Sequence, residues 1–104
     1  MTLPPLLNRT MSQFIRAFAP ERIVLFGSYA KGTNHSGSDI DLLLIGAFEN
    51  GGAGLHRRAR QLAGQCFPRV DVVFCTPQEA EAASPARAPF LMSIIGSGIT
   101  IYRR

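Results

Sequence analysis

The chain predicts an α/β (α+β) fold, a mixed sheet of about four strands packed by helices, and three observations carry that expectation. Four short runs rich in β-branched, leucine or aromatic residues, Ile23 to Phe26, Leu42 to Ile45, Val70 to Phe74 and Ile99 to Tyr102, have the length and composition of strands. Around them lie two apolar stripes at helical spacing: Leu7, Met11, Phe14, Ile15 and Phe18, then Leu55, Ala59, Leu62, Ala63 and Cys66. Proline and glycine fall at the joins, where they break periodic structure. With 104 residues and no internal repeat, residues 1–104 form one domain, large enough for a core and too small for a second, substrate-holding one.

Taken in order, Pro4 and Pro5 open the first helix and Pro20 closes it. Its apolar stripe reads as core packing, with partner docking as the alternative. Glu21 and Arg22 lead into the first strand, and Gly27-Ser28 stops it. Tyr29 to Gly32 reads as a short helical turn, Thr33 to Ser38 as a polar loop, and Gly46 to Gly54 as a Gly-rich connection. Arg57, Arg58 and Arg60 lie opposite the second stripe, a solvated face in preference to an RNA site. Pro68 ends that helix. Thr76-Pro77 opens a short helix with Glu79 and Glu81 near its start, where negative charge suits the helix dipole. Ala86 to Ile95 reads as a further helix, and Gly96-Ser97-Gly98 as the turn into the closing strand. There Tyr102 sits at an edge and Arg103-Arg104 is expected to fray.

The chemistry concentrates between Gly27 and Asp41. A strand ending at Gly27-Ser28 and opening a helix leaves backbone N–H groups that attract phosphate oxygens. Asp39 and Asp41 lie two apart at the head of an apolar run, so on a strand both carboxylates point to one face. The chain has only three Asp, and the last, Asp71, also falls in a strand-like run, so each is expected in a strand. Aspartate is depleted there, and a carboxylate near a sheet is costly without a cation or counter-charge. Oxygen ligands with open positions suit Mg²⁺ or Mn²⁺ together with substrate phosphates. Metal-assisted phosphoryl or nucleotidyl transfer is the chemistry implied. Gly27 to Thr33 fails the P-loop pattern, since Lys31 precedes Gly32. His35 and His56 lack partner ligands and read as surface residues.

Gly-Ser, ten residues, Asp-x-Asp, and a third Asp in a later strand together resemble the signature of the polymerase β-type nucleotidyltransferase superfamily, most closely its stand-alone minimal nucleotidyltransferases. The core likeness covers Gly27 to Leu44 and extends less specifically from Phe14 to Tyr102. One departure is Lys31, where many relatives carry arginine; the charge survives and the bidentate fork is lost. The resemblance implies the topology, and it implies that Asp39, Asp41 and Asp71 are catalytic and hold two Mg²⁺ ions, with Asp71 serving the acceptor side as ligand or base. It further implies that Gly27 and Ser28 bind the triphosphate, that Lys31 neutralises the leaving pyrophosphate, and that Ser38 orients the aspartate pair. Stand-alone members commonly act as antitoxins beside a HEPN-type ribonuclease, and some transfer AMP from ATP to a tyrosine on it. That pairing would account for a missing acceptor domain. The alternatives are a small-molecule, antibiotic-type nucleotidyltransferase, whose relatives usually carry an added helical domain, and a binding module that neutralises a partner by contact alone.

Composition bounds the remainder. The formal charge is +4, with eleven Lys and Arg against seven acidic residues, three of them the aspartates above. This balance suits a polyphosphate substrate and equally an Arg-rich surface; nucleic acid is the less favoured partner. Cys66 and Cys75 lie in apolar patterns without metal-ligand spacing and are expected to be buried thiols. Met1 to Leu7 lacks the features of a signal peptide, and Pro89 to Tyr102 is too short and interrupted to span a bilayer, so a cytoplasmic location is expected.

Overall fold

The computed structural model describes residues 5–35, 37–48, 54–64, 69–81 and 88–104. Among these residues nine elements follow in order: α1 (Pro5–Phe18), β1 (Arg22–Phe26), α2 (Ser28–Lys31), β2 (Ile40–Ile45), α3 (Leu55–Ala63), β3 (Val70–Cys75), α4 (Pro77–Glu81), α5 (Ala88–Ser97) and β4 (Ile99–Arg103). The strands form one sheet in the order β3-β2-β1-β4. β1 is antiparallel to both β2 and β4, while β2 and β3 run parallel, so the sheet is mixed as expected.

Side chains alternate across the sheet, and each face carries its own apolar cluster. Ile23, Leu25, Ile40, Leu42, Leu44, Val70 and Phe74 meet Leu7 and Phe14 of α1, Tyr29 of α2, and Ala59 and Ala63 of α3. Thus the stripe of α1 is spent in the core. Phe74 centres this side, edge-on to Phe18 and to Phe48 with ring centroids 5.2 Å away in each case. Val24, Leu43, Ile45 and Cys75 pack on the other face against Leu91 and Ile94 of α5. Cys75 is buried as expected, and Cys66 lies outside the described residues, as does Pro68.

Three local expectations change. α5 continues through Ser97, whose hydroxyl donates to the Ser93 carbonyl at 2.7 Å, so Gly98 alone makes the turn. A Cβ on Gly98 would overlap the Ile94 carbonyl, so glycine allows the close approach. Arg103 belongs to β4, and the Arg104 N–H donates to the Glu21 carbonyl at 2.9 Å with the guanidinium 3.6 Å from the Glu21 carboxylate; the tail is tied down. Asp39 stands just before β2, because pairing begins at Ile40, whose N–H donates to the Arg69 carbonyl at 2.8 Å. At α4, Thr76 and Glu79 form a reciprocal capping box, each accepting the other's backbone N–H at 3.1 and 3.0 Å.

Candidate active site

β1 ends at Phe26, and the chain turns at Gly27 with φ 76° and ψ −154°, a conformation that glycine adopts without strain. Space makes the same demand, since a Cβ at this position would overlap the Asp41 carboxylate. The Gly27 turn and the Asp41 carboxylate therefore lie against one another. The short helix that follows is anchored by buried Tyr29, and the Lys31 N–H donates to the Gly27 carbonyl at 3.1 Å. Ser28 is half-buried at its start, and Lys31 is exposed.

Topology gathers the aspartates here. Because β2 runs against β1, Asp41 faces Phe26 at the end of β1. Because β3 runs with β2, Asp71 is the register partner of Asp41, so both side chains project from one face of neighbouring strands roughly 4.8 Å apart. Burial pushes the Asp41 carboxyl up from its ordinary value, and the negative charges of Asp71 and Asp39 push it further. Asp39 itself is exposed.

The approach to Asp39 is braced from within. Buried Ser38 accepts the His35 N–H on its hydroxyl oxygen at 2.9 Å and donates its own N–H to the His35 carbonyl at 3.0 Å. His35 Nδ1 accepts the Gly37 N–H at 3.1 Å. Ser38 thus holds the loop that delivers Asp39, and His35 is exposed but locally bonded.

The sequence pattern of the nucleotidyltransferase domain family matches residues 8–93. The chain belongs to that family. Among solved structures, this nucleotidyltransferase domain is similar to a chain in the crystal structure of a toxin-antitoxin with AMP-PNP, at 25% identity and a TM-score of 0.63, covering 92% of this chain and 73% of that one. No curated protein matches the sequence.

The donor chemistry of this candidate site suits a hard divalent cation. Its donors are carboxylate oxygens, and Asp41 sits in a concentration of negative charge that a cation relieves. Among the described residues, no three of His, Cys, Asp and Glu stand close enough to enclose a metal ion by themselves. Nor, among those residues, is any helix long and apolar enough to cross a membrane.

Arg69 beside the candidate site escaped sequence reasoning, and exposed His56 gains a contact that spacing does not show. Arg69 Nε lies 3.2 Å from Asp71 Oδ1, an ion pair between exposed side chains. Its signal was the i, i+2 spacing, which puts both side chains on one face of a strand. His56 stands edge-on to Phe74 at 5.1 Å, a contact between α3 and β3 without a local signature.

Proposed function

We propose that this nucleotidyltransferase moves AMP from ATP onto a hydroxyl of a partner protein and serves as the antitoxin of a HEPN-type toxin. The observation that carries the reading is the contact of Asp41 with the Gly27 turn, with Asp71 alongside in register. The similar chain from a toxin-antitoxin with AMP-PNP supports both the nucleotide and the protein partner.

In this reading Gly27 and Ser28 hold the β- and γ-phosphates through backbone N–H groups and the Ser28 hydroxyl. Lys31 approaches from solvent to offset charge on the departing pyrophosphate. Asp39 and Asp41 would hold Mg²⁺ together with the substrate phosphates, and the ion would neutralise phosphate charge and lower the pKa of the acceptor hydroxyl, with Asp71 on the acceptor side. The acceptor oxygen forms a bond to the α-phosphorus as the bond to pyrophosphate breaks, and its proton passes to Asp71. Arg69 orients that carboxylate. Ser38 acts by bracing the loop before Asp39.

The test is incubation of the purified chain with labelled ATP, Mg²⁺ and the protein encoded beside it, followed by intact-mass measurement. The expected result is an AMP adduct on the partner, absent with Asp41→Asn. Neutralisation without a mass gain would make the chain a contact inhibitor, and label on a small-molecule hydroxyl would make it a small-molecule enzyme.

A further inference from the structure

A second feature lies beside Asp71, on the outer edge of β3. A cleft of about 670 Å³ runs between this edge and α3. One wall is a single helical stripe, His56, Ala59, Arg60, Ala63 and Gly64, and the other is the continuous run Arg69, Val70, Asp71 and Val72. Successive strand residues point to opposite faces, so a wall made from four in a row is the strand edge itself.

Main-chain directions support this. The carbonyls of Arg69 and Cys75 turn toward β2, accepting from Ile40 and Gly46 at 2.8 and 3.0 Å. By the alternation of a parallel ladder, the N–H and C=O groups of Val70 and Val72 turn outward. Among the described residues β3 pairs with β2 alone, so these groups face the cleft without a strand partner. An open edge of this kind is a template for another strand.

Charge selects the occupant. Arg60, Arg69 and His56 line the cleft against one carboxylate, Asp71, and Arg57 and Arg58 extend the basic face along α3. Among the described residues, no carboxylate lies within ion-pair distance of Arg57, Arg58 or Arg60. We infer that the β3 edge captures an extended acidic segment of the partner protein as an added strand, delivering its hydroxyl to Asp71. This rests on the protein-acceptor reading above. Main-chain bonds to Val70 and Val72 supply affinity, and the arginines select acidic side chains.

The experiment uses synthetic acidic peptides of about eight residues, an ordinary strand length, each carrying one tyrosine or serine hydroxyl. Binding is followed by fluorescence anisotropy and by the amide shifts of Val70 and Val72. Acidic peptides should bind and lysine-substituted versions should not; Arg60→Glu and Val72→Pro should each weaken binding by roughly tenfold or more. The Val72 N–H is not used in the protein's own ladder, so proline there blocks the added strand while sparing the sheet. If Val72→Pro fails to fold, alternately N-methylated peptides apply the same test from the other side. Undiminished binding of N-methylated peptides, equal binding of basic ones, or no binding by any acidic peptide overturns the inference. So does a dimer that Val72→Pro dissolves, which would give the edge to a second copy. Peptide binding needs no ATP, so the two proposals separate. Capture without AMP transfer keeps the groove and removes the enzyme, whereas undiminished transfer by Val72→Pro keeps the enzyme and removes the groove.

Discussion

The Asp41 carboxylate fills the space beside Gly27 that any side chain at that position would need. Gly27→Ala meets two penalties, the overlap and a positive φ worth about 1–3 kcal/mol by itself. The variant should melt several degrees lower and bind ATP poorly, because Asp41 must move. Calorimetry showing wild-type melting and affinity would contradict the contact.

Asp41 also implies a pH signature. Its carboxyl is raised from 3.8 in the folded chain, first by burial and then by Asp71 and Asp39. Its contribution to stability is fully present below the unfolded-chain pKa and is lost as pH rises through the folded-state value. Asp41→Asn, neutral throughout, should therefore resist urea better than wild type at neutral pH without divalent cations, and lose that advantage in acid. Equal urea midpoints at neutral pH would show that the charge is not strained.

Ser28→Ala should weaken ATP more than Mg²⁺, since the hydroxyl is assigned to phosphate. Hydrogen bonds to charged groups contribute about 1.5–3 kcal/mol, so nucleotide affinity should fall roughly ten- to a hundredfold. A titration with unchanged ATP affinity would remove Ser28 from the cradle.

Asp71→Asn should separate chemistry from binding. Its ion pair with Arg69 is exposed, so stability should change little. Transfer to the partner should drop by about two orders of magnitude, the scale of losing a general base, with ATP affinity retained. Single-turnover labelling at saturating ATP measures the step, and an undiminished rate would assign the proton elsewhere.

Much of this was legible in the chain. The strands appeared within two residues of their observed bounds because each is a short apolar run, the first three closed by glycine, or by threonine and proline. α1 followed from its stripe, whose Leu7 and Phe14 are fully buried. The extension of α5 through Ser97 is local, whereas two other differences depend on contacts far along the sequence. Arg104 is held by Glu21, and β2 begins where the Arg69 carbonyl meets Ile40. The bonding of Ser38 is local instead: its hydroxyl oxygen accepts the His35 N–H in a turn that spacing does not display.

By itself the sequence determined the chemical inventory: a Gly-Ser turn after a strand, an Asp-x-Asp pair, a third Asp in a later strand, and the family they belong to. Tertiary structure alone decided how these meet. Parallel pairing sets Asp71 beside Asp41, and antiparallel pairing returns Asp41 to the Gly27 turn. The order β3-β2-β1-β4 leaves β3 at the edge, which opens the cleft toward α3. Local propensity governs the conformation of neighbours in the chain, but register and strand order arise from the burial of apolar faces across long loops, and only the folded sheet expresses them.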